Sequence, residues 1–245
     1  MITNITNSQI YFGTNCRKYK AGPLNEVIYT TSHVNRDDLD FERLTNYMIK
    51  NYEHAPKVNV YSMACSDGSE GWTLAMFLKN KKAEKFLPIK GIDIDYTILD
   101  CANSTKLNIL PEEIKELKQN GINFNKYFIP AESHMYIFND SLNDKTRTYI
   151  AKPNIAKCFK AERKTVLQEI STITKDFPNV VLCRNFFPYM GSDIENIKYI
   201  NAFSEKLAKG DLLAIGDFDR SLKFMEILNR HGFEEIFHNV LKKIK

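Results

Sequence analysis

No stretch of this sequence approaches the ~20 consecutive apolar residues of a membrane-spanning helix, so no transmembrane segment is expected. The opening run MITNITNSQIYFG lacks a basic start followed by an apolar core and does not have the form of a secretory signal. Cysteine is sparse: Cys16, Cys65, Cys101, Cys158 and Cys183 are scattered, odd in number and contain no C-x-x-C. Neither a disulfide framework nor a zinc site is expected, and reduced cytoplasmic thiols are the default reading. The histidines show no H-E-x-x-H or comparable ligand spacing, so no catalytic metal is expected. There is no G-x-G-x-x-G and no Walker lysine, which disfavours dinucleotide and triphosphate binding. An excess of one sign of charge is also missing. The 34 basic residues against 30 acidic ones give a net charge of +4, which calls for neither nucleic acid nor a membrane surface.

What is present is a globular composition, 43% hydrophobic and 26% charged over 245 residues. That length suits one large domain with an appendage or insertion. Residues 1–30 are polar and rich in Asn and Thr, and read as an irregular leader, with the main domain over 31–245. Phe41, Leu44, Tyr47 and Met48 recur at helical spacing. VNVYSMA then reads as a strand, GWTLAMFLKN as a helix, IKGIDI as a strand and 97–103 as a helix. PEEIKELKQNG reads as a helix closed by Gly121. Aromatic clusters between turn residues over 125–152 suggest two or three strands, within a small β-rich insertion bounded at about 121–155. A helix over AERKTVLQEISTIT, a buried strand NVVLCRN, a helix over 193–208, a strand LLAIGDF, and a last helix and strand around Gly232 complete the chain. Alternating strands and helices predict an α/β fold with a mostly parallel central sheet and helices on both faces.

Ligands of such sheets bind at the carboxyl ends of the strands, near the topological switch point. The first strand runs through Cys65-Ser66-Asp67-Gly68-Ser69-Glu70 directly into a helix. Small residues there let a ligand approach the backbone, and the helix start offers free N–H groups. Glu70 also fits a capping box with Asp67 as N-cap. The second strand ends in Asp93-Ile94-Asp95, 25 residues after Gly68. Asp93 sits at the offset of an acid that accepts ribose hydroxyls, and Asp95 at that of a helix cap. A glycine turn, a helix start and a ribose acid describe a nucleoside site, and S-adenosylmethionine fits it, with Glu70 placed to hold the ammonium.

These residues resemble a known family. YSMACSDGSEGWTLAM is similar to the first motif of the CheR-type chemotaxis receptor methyltransferases through Ala64, Cys65, Ser66, Gly68, Glu70, Leu74, Ala75 and Met76. GIDIDYTILDCA resembles the second-strand D-I-D motif through Asp93, Asp95, Leu99 and Ala102. VLCRNFFPYM resembles C-R-N-x-x-x-Y through Cys183, Arg184, Asn185 and Tyr189. LAKGDLLAIGDFD resembles the next segment through Gly210 and Gly216, with Asp211 replacing a glycine. TSHVNRDDLDF is similar to T-x-F-F-R-D, with Arg36 and Asp37 retained and Val34 and Asn35 in place of the aromatics.

The resemblance implies a Rossmann-like class I methyltransferase that binds S-adenosyl-L-methionine and releases S-adenosyl-L-homocysteine. It implies transfer of the methyl group to a glutamate carboxylate of a protein acceptor, a chemoreceptor in the family's usual setting. It places Ala64, Cys65, Ser66, Gly68, Glu70, Asp93, Arg184 and Asn185 at the cofactor and Arg36 and Tyr189 at the acceptor. Such a carboxylate is ionised at neutral pH, its reference pKa being ~4.3, so no general base is required. Arg36 reads either as a planar fork for that carboxylate or as a surface ion-pair residue. Tyr189 reads as a hydrogen-bonding wall or an ordinary aromatic, and Arg184 as a substrate contact or a structural ion pair. Cys65 and Cys183 read as small buried fillers without a nucleophilic role, and Trp72 as core. Two other readings stay open: methylation of another protein or a small molecule, and a regulatory module that binds the cofactor without catalysis.

Overall fold

The computed structural model describes residues 17–21, 26–30, 34, 37–135, 145–190 and 192–245. Asp40 accepts the Arg43 N–H at 2.8 Å and opens α1 (Phe41–Asn51), whose Phe41, Leu44 and Met48 are buried. The strand β3 (Asn59–Met63) follows, and then α2 (Ser69–Asn80). β4 (Ile89–Asp93) leads into α3 (Tyr96–Asn103), which Asp95 caps as expected by accepting the N–H of Thr97 at 2.9 Å. Two corrections fall upstream and downstream of this frame. Within the leader expected to be irregular, β1 (Arg17–Ala21) pairs antiparallel with β2 (Glu26–Thr30). The EVIYT run has the β-branched and aromatic content of a strand, which the surrounding polar residues mask. In AERKTVLQEISTIT the first residues belong to a strand, β8 (Phe159–Arg163), and the helix α6 spans only Val166–Thr172. A capping box between Thr165 and Gln168 starts that helix after the strand.

Between α3 and β8 lie β5 (Lys106–Ile109), α4 (Pro111–Gln119), β6 (Phe128–Pro130), β7 (Arg147–Ala151) and the short α5 (Pro153–Ala156). β5, β7 and β6 form a separate antiparallel sheet in that order, drawing one strand from upstream of the stretch in which strands were expected. Residues 136–144 of that stretch lie outside the described residues.

The chain continues through β9 (Asn179–Leu182), α7 (Asp193–Lys206), β10 (Leu212–Ala214) and α8 (Leu222–Arg230). It ends in β11 (Phe233–Phe237) and β12 (Val240–Lys243), a hairpin where a single last strand was expected. Asn239, with φ of 63°, makes the turn.

The main sheet has seven strands in the order β11-β12-β10-β9-β3-β4-β8. All pairs from β10 to β8 are parallel, and β12 is antiparallel to both neighbours. This is the expected α/β sheet, buried on both faces. Alternate residues of β10 divide between two cores: Leu212 and Ala214 pack on the side of α1 and α2, Leu213 on the side of α6, α7 and α8. From β3 the chain steps outward to β4 and β8, then returns to lay β9 on the other side of β3. The switch point, and the crevice it opens, therefore lies between the carboxyl ends of β3 and β9.

Candidate functional site at the switch point

The turn after β3 departs from ordinary backbone. Ala64 and Ser66 take φ of 54° and 52°, and Gly68 takes 83° as the N-cap of α2. After β9, Asn185 takes φ of 55°. Left-handed backbone is costly for residues with a Cβ and clusters at ligand sites. All four residues are among those assigned to the cofactor from sequence.

Asp93 joins the first two strand ends. Its Oδ2 accepts the Ser66 N–H at 2.8 Å and its Oδ1 the Asp95 N–H at 3.1 Å. Burial pushes its carboxyl above the usual range, and these N–H groups pull it back. Cys65 and Cys183 are buried, and burial pushes both thiols up, which suits packing rather than nucleophilic chemistry. Trp72 is buried against Phe128 and Phe159, as a core residue.

The capping-box reading of Glu70 is overturned. Asp67 does accept the Ser69 N–H at 3.0 Å, but Gly68 is the N-cap. Glu70 Oε1 instead accepts the Ser62 hydroxyl at 2.8 Å, and Oε2 accepts Arg184 at 2.9 Å. Arg184 thereby bridges the crevice from β9 to β3. Its other terminal nitrogen pairs with Asp38, a residue that sequence reading passed over. Asp38 also accepts the Asn185 side-chain amide at 3.1 Å and the Asp217 N–H at 3.3 Å. Tyr189 sits half-buried in the 3-10 turn Phe187–Met190, one loop beyond Asn185. Arg36 lies outside the described residues. Its neighbour Val34 is buried and donates its N–H to Glu113 Oε1 at 3.1 Å.

Asp219 is a second residue without a sequence signal. It ties the loop after β9 to that after β10 by accepting the N–H groups of Asn185 at 2.6 Å, Gly216 at 2.7 Å and Phe187 at 3.0 Å. Burial pushes its carboxyl from the usual 3.8 up to about 6. Between those values the native state holds a proton that the unfolded chain has released. The contribution of Asp219 to stability is therefore complete at low pH and is lost as pH rises through about 6, by roughly 3 kcal/mol. Asp219→Asn, which does not ionise, is expected to gain on wild type in urea unfolding between about pH 4 and 6, and to hold a constant difference above about pH 7. A difference that ignores pH would mean that Asp219 ionises normally.

Among the described residues, the polar atoms buried at these strand ends without a hydrogen-bond partner include Asp95 Oδ2, Ser66 Oγ and Arg184 Nε. Ser66 and Arg184 belong to the residues assigned to the cofactor, and orphaned polar groups on either side of a crevice fit a polar ligand.

A parallel α/β sheet with a left-handed turn at the switch point and acids at successive strand ends defines a nucleoside-binding domain. Residues 30–231 match the family model described as CheR methyltransferase, SAM binding domain. The chain belongs to this family of S-adenosylmethionine-dependent methyltransferases, and S-adenosylmethionine is the cofactor of the domain. It is similar to the "Chemotaxis protein methyltransferase" of Listeria monocytogenes serovar 1/2a (strain ATCC BAA-679 / EGD-e), with 25% identity over 166 residues, covering 68% of this chain and 55% of that protein. The chain thus spans about half the length of that curated relative. Among solved structures it is similar to a TehB-like SAM-dependent methyltransferase from Corynebacterium glutamicum ATCC 13032 Kitasato, with 11% identity and a TM-score of 0.39 over 82% of this chain and 84% of that one. A S-adenosylmethionine-dependent methyltransferase from Clostridium acetobutylicum ATCC 824 shows 15% identity and a TM-score of 0.35 over 74% and 51%. Among the described residues no helix is long and apolar enough to cross a membrane.

Proposed function

We propose that this chain transfers a methyl group from S-adenosylmethionine to a glutamate carboxylate of a protein acceptor in the cytoplasm. The observation that carries the reading is the Ser62–Glu70–Arg184 bridge across the switch point, with Asp93 at the adjacent strand end. Asp93 would accept the ribose hydroxyls, as the acid at the end of the strand next to the switch point. Glu70 would face the ammonium, and Ser66 and Arg184 would supply the unpaired donors. Ala64, Cys65, Gly68 and Asn185 would line the pocket with backbone and small side chains. When bound, the cofactor supplies a methyl group activated by a sulfonium.

The protein then has to hold an ionised carboxylate in line with that methyl and keep water out, which is mainly positioning. Arg36 and Tyr189 would do this, the first as a planar fork for the carboxylate and the second as a phenol beside it. The family and the name of the Listeria relative support a protein acceptor of the chemoreceptor kind.

Labelled cofactor incubated with cell lysate tests this directly. The expected result is label on a protein band, released as methanol by mild base, as an ester requires. Arg36→Ala is expected to bind the cofactor normally and to lose most of the transfer. Label in a soluble small molecule, or a base-stable protein label, would replace the carboxylate acceptor with another.

A further inference from the structure

We infer that Asp38 is a positioning residue of the cofactor site: by holding one arm of Arg184 it leaves Glu70 available to a ligand's ammonium. The inference rests on the proposed role of Glu70 and extends it to a residue outside the family motifs.

The Arg184 side chain is almost fully buried and faces two carboxylates. A guanidinium is a rigid fork that prefers to take both oxygens of one carboxylate. Here it is split, one terminal nitrogen on Asp38 and the other on Glu70 Oε2. Glu70 therefore accepts one bond from Arg184 and one from Ser62, and both its oxygens keep a lone pair. Without Asp38, Arg184 would turn fully onto Glu70 and occupy the face that an ammonium needs.

Asp38 is itself fixed from three sides. Its carboxylate accepts the Asn185 amide at 3.1 Å and the Asp217 N–H at 3.3 Å, and its carbonyl accepts the Asn239 amide at 2.6 Å. It therefore holds Arg184 from a frame built by the loops after β9 and β10 and the β11–β12 turn.

The test compares two ligands by calorimetry. S-adenosylhomocysteine carries the amino-acid arm with its ammonium, and 5′-methylthioadenosine is the same nucleoside thioether without that arm. Wild type is expected to prefer the former. Asp38→Asn is expected to weaken S-adenosylhomocysteine about tenfold, about 1.4 kcal/mol, and to leave methylthioadenosine within about twofold. In a Glu70→Gln background Asp38→Asn is expected to add nothing, because the group it serves is gone. Asp93→Ala, by contrast, should weaken both ligands. If Asp38→Asn does not fold, Asp38→Glu carries the test and should show a smaller loss of the same selectivity.

Equal weakening of both ligands would make Asp38 a purely structural residue and overturn the inference. Selectivity unchanged in the variant would overturn it as well, while leaving the role of Glu70 intact. A wild type that does not prefer S-adenosylhomocysteine would overturn the Glu70 reading and this inference with it.

Discussion

Arg184→Met is expected to lower the unfolding free energy by about 3–5 kcal/mol, the scale for removing one partner of a buried ion pair. The reason is what remains. Asp38 is buried, and the Glu70 side chain is only 17% exposed. Both lose the Arg184 cation at once, and removing one partner of a buried ion pair costs far more than the pair gains. Methionine keeps the volume and the contact with Phe41, over whose ring the guanidinium sits at 5.5 Å from the centroid. The loss should therefore be electrostatic and not a cavity effect. Urea unfolding checks the value, and the triple variant Asp38→Asn/Glu70→Gln/Arg184→Met provides the control. With both acids neutralised it should recover much of the loss, because replacing a whole buried ionic group by neutral residues is often close to neutral. A triple variant as unstable as Arg184→Met alone would mean that Arg184 supports the loop by packing. Arg184→Lys should be an incomplete rescue, since one ammonium does not span two acids as a fork does.

The same cluster shows how far the sequence could be read. Cys183-Arg184-Asn185 and Gly68-x-Glu70 are short motifs on strand ends, and the alternation of strands and helices places strand ends together at the switch point. That much is legible because it depends on local order along the chain. Asp38 and Asp219 were not legible. Asp38 lies in the run Arg36-Asp37-Asp38-Leu39-Asp40, where three aspartates look alike. Only the fold separates them: Asp40 caps α1, Asp37 is exposed, and Asp38 turns inward to Arg184. Asp219 sits in a short polar turn after β10, and its value comes from backbone N–H groups of a loop more than thirty residues away in sequence. Such contacts carry no periodicity. The capping-box reading of Glu70 failed in the opposite direction. Its local pattern was informative but wrong, because Ser62 and Arg184 outcompete the helix N-terminus for its carboxylate. The edge strand β8 escaped because its exposed residues are charged and only Phe159 and Ala161 face the core deeply.

Phe159→Ala, in that overlooked strand, is expected to cost about 3–5 kcal/mol and to weaken cofactor binding as well. The ring is 4% exposed and occupies a slot that three glycines leave open. A Cβ on Gly71 would lie 2.3 Å from it, and Cβ atoms on Gly68 and Gly91 would each lie 2.6 Å away. Gly68 and Gly71 belong to the turn and first residues of α2, and Gly91 to the strand that ends in Asp93. One phenyl ring therefore props the nucleoside turn against β4 from below, with Trp72 packed beside it at a centroid distance of 5.3 Å. Removing the ring leaves a cavity that the rigid sheet does not collapse, and the turn above it loses its support. The complementary change, Gly71→Ala, should cost about 1–3 kcal/mol by overpacking. Gly71→Ala with Phe159→Leu should then be more stable than the sum of the two single changes, because the smaller side chain makes room for the new methyl. Urea unfolding of the four proteins measures that coupling, expected at about 0.5–3 kcal/mol for residues in contact. Strict additivity would separate the ring from the glycine turn, and cofactor affinity unchanged in a folded Phe159→Ala protein would show that the turn holds its shape unaided.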